Sequence, residues 1–89
     1  MKLPIDISLS STLHNLKLDG YYNFEASMCE RDNIDDNDNA ISGWLIVATC
    51  HKGDSHKYVP VWVRKDQLER AENIFETFKI VCERQNNNE

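Results

Sequence analysis

Apolar and polar residues alternate in two stretches of the first third of the chain, and this alternation is typical of half-buried β-strands. The first stretch is residues 5–9 and the second is residues 21–30. Asp19 and Gly20 have the composition of a hairpin turn, and a three-residue loop that ends at Gly20 keeps the apolar side chains of the second strand on one face. Residues 10–16 fit either a turn or a short helix, and the pattern leaves both possibilities open.

The middle of the chain predicts a hairpin with a defined register. Residues 43–51 and 56–64 are rich in β-branched and aromatic residues, and Gly53 and Asp54 between them suit a type II′ turn. Pro60 has no N–H for a ladder bond, so the second strand of this hairpin is expected at a sheet edge or at a bulge.

The two faces of this predicted hairpin differ in composition. One face is nearly pure core, with Lys57 as its charged member, and carries Trp44, Ile46, Ala48, Cys50, Val59, Val61 and Val63. The other face is amphipathic and carries Leu45, Val47, Thr49, His51, His56, Tyr58, Pro60 and Trp62. A single helix covers only one side of a sheet, so the second face requires the N-terminal segment, a second copy of the chain or a partner protein as its cover.

From Lys65 onward the apolar period changes to that of a helix. Asp66 and Glu69 have the spacing of a capping box. The apolar side of the predicted helix is formed by Leu68, Ala71, Phe75, Phe78 and Cys82, with Ile74 and Val81 beside them. The expected fold is a two-layer α+β domain, an antiparallel sheet of three to five strands with one C-terminal helix packed on one face.

Two segments hold too few apolar residues to pack. Residues 31–39 combine four carboxylates with turn-forming amides, and they are expected to form a flexible acidic loop. Residues 85–89 are polar throughout and are expected to be a disordered tail. The predicted organisation is therefore a single domain over residues 1–84.

Composition and charge narrow the class of partner. The chain has 89 residues, of which 40% are hydrophobic and 28% charged, as is ordinary for one small globular domain. Its formal net charge is −5, and seven of its 15 acidic residues lie between residues 19 and 38. Because Lys and Arg supply most of the affinity for phosphate groups, an acidic chain is a poor general binder of nucleic acid. A basic protein is the expected partner.

The sequence also predicts the environment of the protein. No stretch approaches the roughly 18 apolar residues of a membrane span, and the first residues lack the apolar run of a signal peptide. Cys29, Cys50 and Cys82 are an odd number with no paired spacing, so we expect reduced thiols that serve as small buried hydrophobes. A cytoplasmic location without membrane contact follows as an expectation.

Candidate metal and catalytic motifs are weak. A calcium loop that starts at Asp36 would need Gly in place of Ile41 and Glu in place of Val47. His51 and His56 are cross-strand neighbours in the predicted register and could share a metal ion, but no second pair of ligands matches them. The sequence contains no Gly-rich phosphate loop and no nucleophile elbow. We expect no metal, no cofactor and no enzymatic activity.

The leading hypothesis is a small, acidic, non-enzymatic protein-binding protein, such as an inhibitor, antidote or adaptor, whose partner is a basic and possibly nucleic-acid-binding protein. The predicted partner-binding residues are Leu45, Val47, Tyr58, Trp62, Asp32, Asp35, Asp36, Asp38, Glu69, Glu72 and Glu76. A homodimer formed through the same apolar face is also compatible with the sequence. The alternatives are a single-stranded nucleic-acid-binding module that uses Tyr58 and Trp62, and a small metal- or thiol-dependent enzyme.

Overall fold

The computed structural model describes residues 5–87, which form two helices, five strands and one 3₁₀ turn. In chain order these are α1 (Ile5–Leu18), β1 (Tyr22–Glu30), β2 (Asn33–Ile34), β3 (Ala40–Ile41), β4 (Gly43–Lys52), β5 (Ser55–Arg64), the 3₁₀ turn (Lys65–Gln67) and α2 (Leu68–Asn87). Strands β1, β4 and β5 form an antiparallel sheet with β4 in the centre, and β2 pairs with β3 in a separate short hairpin.

The predicted α+β fold with a C-terminal helix packed on one face of the sheet is confirmed. Helix α1 is an addition to it and packs against α2, so that both helices contribute to one core. The buried core residues are Leu9, Leu13, Tyr21, Phe24, Ile46, Ala48, Cys50, Val63, Ala71, Ile74, Phe78, Val81 and Cys82. The helices therefore cover one face of the sheet, here called the inner face.

The prediction of a strand over residues 5–9 is wrong, because these residues form the start of α1. Leu9 and Leu13 are buried at helical spacing, and Leu16 packs beside them. Ile7, which a strand would place on the same face as Leu9, is 53% exposed. An alternation only five residues long is too short to distinguish a strand from one turn of a helix.

The predicted turn at Asp19 and Gly20 is wrong as a hairpin and is instead the C-terminal cap of α1. Gly20 has φ +103, which is the left-handed backbone that such a cap requires. The N–H of Tyr21 donates to the C=O of Leu16 at 3.0 Å, and the N–H of Gly20 donates to the C=O of Lys17 at 3.0 Å. This pair of bonds is a Schellman motif, and the buried Tyr21 packs into the core beside it.

Strand β1 confirms the second predicted strand, with one irregularity near its start. The ladder with β4 shifts register between Tyr22 and Glu25, where Asn23 has φ +56. From Phe24 onward the alternating apolar residues face the helices, as predicted. Tyr22 lies before the bulge and is 50% exposed, so it falls on the opposite face from the one its spacing predicts.

The hairpin of β4 and β5 has the predicted register, in which Trp44 pairs with Val63. Its two-residue turn has φ +60 at Gly53 and no positive φ at Asp54, as a type II′ turn requires. Strand β5 lies at the edge of the sheet, which is the position predicted from Pro60.

Helix α2 buries Ala71, Ile74, Phe78, Val81 and Cys82 of the predicted apolar side, and it continues beyond residue 84. Leu68, at its first turn, is 42% exposed, and Phe75 is half-buried. The expectation of a disordered tail is wrong for Gln85 to Asn87, which form the last turn of the helix, with Gln85 buried. Residues 88 and 89 lie outside the described residues. The amide of Asn86 donates to the C=O of Phe24 and accepts from its N–H, both at 2.8 Å. The expected capping box is not formed, because Asp66 lies within the 3₁₀ turn.

We expect Asn86→Ala to lower the free energy of unfolding by about 1 to 2 kcal/mol, because two partly buried hydrogen bonds to the backbone of β1 are lost. Urea denaturation of the wild type and the variant measures the difference. Asn87→Ala removes the neighbouring exposed amide and serves as the control. Equal stability of the two variants would contradict the role of Asn86.

The predicted loop over residues 31–39 is exposed except at Asp35. The Asp35 carboxylate accepts hydrogen bonds from the N–H groups of Asn37 and Asn39 at 2.8 and 2.9 Å and closes the turn between β2 and β3. The mobility expected for this segment stays a prediction.

Candidate interaction surface

The sheet face that points away from both helices is here called the outer face. Its members, from the three strands in order, are Tyr22, Glu25, Ser27, Cys29, Leu45, Val47, Thr49, His51, His56, Tyr58, Pro60 and Trp62. None of these described residues is buried, whereas Ile46, Ala48 and Cys50 of the inner face are at most 1% exposed. The described part of the N-terminal segment forms α1 and does not cover the outer face.

The apolar members of the outer face are contiguous. Leu45 pairs across the ladder with Trp62, and Val47 pairs with Pro60. Tyr58 follows in the next row and is 64% exposed. The structure therefore brings the four apolar site residues predicted from the sequence onto one face, and it adds Pro60 between them.

Trp62 is the most constrained residue of the outer face. Its indole N–H donates to the C=O of Arg31 at 2.9 Å, so the ring extends from β5 across the central strand towards the end of β1. A Cβ atom built on Gly43 would lie within 3 Å of the ring, which means that the indole rests directly on the glycine backbone. Trp62 is half-buried by this packing, which leaves Tyr58 as the most exposed aromatic ring of the face.

The predicted acidic segment adjoins the Trp62 end of the outer face. A shallow hollow there is lined by Asp32 together with Leu45 and Trp62. Asp36 and Asp38 are exposed, while the Asp35 carboxylate is engaged in the turn. Carboxylates and apolar side chains are thus adjacent at this end.

The predicted helix glutamates are not part of this surface. Glu69, Glu72 and Glu76 lie on α2, which packs on the inner face. Glu72 and Glu76 line hollows between α2 and β1. A partner seated on the outer face therefore does not contact these glutamates unless it also wraps around the edge of the sheet.

The opposite end of the outer face carries aromatic and basic groups. The rings of His51 and His56 meet edge to face with centroids 4.6 Å apart. Tyr22 pairs with His51. By the register, Lys52 and Lys57 lie on the inner-face side of the hairpin, and the Lys52 ammonium is 3.9 Å from the Asp19 carboxylate. Sequence reasoning missed Tyr22 because the bulge in β1 reverses its side, and a left-handed asparagine is not evident from the residue pattern.

Metal and thiol chemistry receive little support from the geometry. Among residues 5–87, no three His, Cys, Asp or Glu side chains are placed to hold a metal ion. Burial raises the pKa of the Cys50 thiol, and burial with the nearby Cys50 and Glu25 raises the pKa of Cys82 to about 11. Both thiols are therefore protonated and poor nucleophiles near neutral pH. Cys29 is exposed on the outer face, so the expectation that it is buried is wrong.

No protein-family model, curated protein or solved structure matches this chain. Within the described residues, neither helix has the length and apolar character needed to cross a membrane.

Proposed function

We propose that the protein is a non-enzymatic binding protein that docks a basic partner protein on its outer face. The observation that carries this proposal is the uncovered apolar strip of Leu45, Val47, Tyr58 and Pro60. The ring of Trp62 lies at one end of the strip and is held in place by its hydrogen bond to Arg31 C=O. Aromatic and aliphatic side chains held on a rigid sheet are typical anchors of protein interfaces. The buried core lies on the inner face, and none of the residues of the strip belongs to it.

Charge supports a basic partner. The net charge is −5, and the segment beside Trp62 contributes Asp32, Asp35, Asp36 and Asp38. Acidic groups at the rim of an apolar patch accelerate association with a basic surface and select against acidic proteins. The glutamates of α2 lie on another side and have no direct part in this contact. A cytoplasmic setting, in which the thiols stay reduced, is included in the proposal.

Tyr58→Asp is expected to weaken partner binding about tenfold or more, because it replaces the most exposed apolar ring of the strip with a charge. The partner is first captured from the native host and identified, and its affinity for purified wild type and variant is then measured by calorimetry. Ser11→Asp adds the same charge on the exposed side of α1 and should leave the affinity unchanged.

The proposal requires that the identified partner is basic and binds one copy of the chain. Equal binding by wild type and Tyr58→Asp would contradict it. Light scattering provides a second test. A stable wild-type dimer that Tyr58→Asp converts to monomers would also contradict the proposal, because the outer face would then bind another copy of the chain.

A second candidate function is binding of single-stranded nucleic acid, and the end of the outer face that holds His51 and His56 favours it. Exposed Tyr22 and Tyr58 flank the two imidazoles, so that four rings lie together at this end. Bases stack on such rings with little sequence preference. Fluorescence titration with an oligonucleotide at low salt tests this function, and unchanged binding by Tyr58→Ala would argue against it.

A further inference from the structure

We propose that the free edge of β1, together with the acidic trough between β1 and α2, binds an extended basic segment of a partner protein as an added β-strand. This site is separate from the outer face and goes beyond the function proposed above. Three features carry the inference: backbone groups that point away from the sheet, a side chain that already imitates an added strand, and carboxylates along the trough.

The backbone of β1 alternates between residues that bond to β4 and residues that point to the free edge. Arg31 N–H donates to Gly43 C=O at 2.9 Å, which fixes the phase of the ladder. By this alternation, Glu30, Met28 and Ala26 direct their N–H and C=O groups away from β4. Among the described residues no hydrogen bond to these outward groups is formed, so they present an open strand edge.

Asn86 shows how this edge accepts a partner. Phe24 is the next residue in the outward series, and the Asn86 side chain bonds to both its N–H and its C=O at 2.8 Å. One N–H and the oxygen of this primary amide thereby make the pair of bonds that a strand residue would make. The added strand would continue from this point along Ala26, Met28 and Glu30.

The other edge of the sheet is closed to the same kind of binding. Lys65 N–H donates to Ser42 C=O at 3.0 Å, which fixes the phase between β4 and β5. Pro60 then falls among the outward residues of β5 and has no N–H to offer. Of the two edges of the described three-stranded sheet, the one at β1 therefore has the uninterrupted series of outward N–H groups that a continuous added strand requires.

The trough beside β1 is acidic and partly apolar. It is formed by two hollows that share Glu76 and are also lined by Glu25, Glu72 and Glu83. The cation in the trough is Lys79, and its ammonium is 2.8 Å from the Glu76 carboxylate. Exposed Ile80 and half-buried Met28 offer apolar contacts to the aliphatic stems of lysine or arginine side chains that the added strand directs into the trough.

These charges identify the occupant as a basic segment of another protein. Lysine or arginine side chains on the added strand would lie beside carboxylates that have no ion-pair partner in the described chain, namely Glu72 and Glu83. Antiparallel pairing of β1 with β1 of a second copy would instead bring two acidic troughs together, which opposes self-association.

The test uses a synthetic peptide of alternating valine and lysine as the probe and NMR hydrogen exchange as the readout. We expect the amide protons of Ala26, Met28 and Glu30 to gain protection when the peptide binds. A peptide of alternating valine and glutamate should not bind. Protection confined to other residues, or equal binding of the two peptides, would overturn the proposal.

Two variants sharpen the result. Ala26→Pro removes an outward N–H, as Pro60 does on β5, and it should abolish peptide binding while the ladder with β4 remains. The double variant Glu72→Lys and Glu83→Lys keeps the edge intact and should lower the affinity on the order of tenfold. If Ala26→Pro fails to fold, the charge variant and the exchange pattern decide the matter, and undiminished binding by the charge variant overturns the proposal.

Two further controls separate this site from its alternatives. Tyr58→Asp alters the outer face and should leave peptide binding unchanged, so failure of one site does not imply failure of the other. Protection of the Ala26, Met28 and Glu30 amides at high protein concentration without peptide would overturn the assignment of the occupant, because a second copy of the chain would then fill the edge.

Discussion

Gly43→Ala is expected to lower the free energy of unfolding by about 2 to 3 kcal/mol, although it adds a single methyl group. The added Cβ would lie within 3 Å of the Trp62 ring, closer than real Cβ contacts allow. The ring would have to leave its position over β4, and its hydrogen bond to Arg31 C=O would break. Chemical denaturation measures the loss, and a red shift of tryptophan fluorescence reports the displaced indole.

A double-mutant cycle makes this expectation specific to the contact between Gly43 and Trp62. In a Trp62→Ala background the obstacle is absent, and Gly43→Ala should then cost little or nothing. The same cost in both backgrounds would show that Trp62 does not rest on Gly43. In that case the indole would be free to reorient, and the strip on the outer face would lack its rigid end.

Leu13→Ala is expected to lower the free energy of unfolding by about 3 to 4 kcal/mol, because a completely buried side chain would leave a cavity between α1 and α2. Thermal and urea denaturation both measure the change. Ile7→Ala is the matched control in the same helix, and it should cost less than about 1 kcal/mol because Ile7 is largely exposed.

The comparison of these two variants distinguishes between two structures for residues 5–9, the helix α1 and the strand that the sequence pattern suggests. A strand over residues 5–9 would bury Ile7 and Leu9 on one face and would leave Leu13 outside it. A large cost for Ile7→Ala together with a small cost for Leu13→Ala would therefore contradict α1.

The elements that could be predicted from the sequence are those whose pattern extends over many residues. Strands β4 and β5 each run for ten residues, and the turn at Gly53 and Asp54 fixes their register. Helix α2 repeats its apolar residues over about four turns, from Leu68 to Cys82, so the period is unambiguous. The division of the hairpin into a core face and an open face followed directly from that register.

Residues 5–9 and the turn at Asp19 and Gly20 were misassigned because their local signals have two meanings. Glycine after an aspartate serves a hairpin turn and a helix C-terminus equally well, and only the contact of Tyr21 with the core selects the cap at Gly20. The leucines at positions 9, 13 and 16 have helical spacing, but serines and threonines between them weaken the helical signal.

The residues that share the outer face could be predicted from the sequence, but the way they pack against one another could not. The sequence pattern placed Leu45, Val47, Tyr58 and Trp62 together, but the stacking of Trp62 on Gly43 depends on how far an indole reaches across a strand. The edge of β1 was missed because it depends on the last turn of α2, where a polar composition suggested disorder and Asn86 instead bonds to β1.

The most direct test of the open outer face is solvent paramagnetic relaxation of side-chain signals in the free protein, with a soluble gadolinium chelate as the probe. We expect the methyl groups of Val47 and the ring of Tyr58 to relax strongly at protein concentrations where light scattering shows a monomer. The methyl groups of Ile46, one residue away on the inner face, should be shielded. Equal shielding of Val47 and Ile46 in the monomer would contradict an outer face that is free to receive a partner.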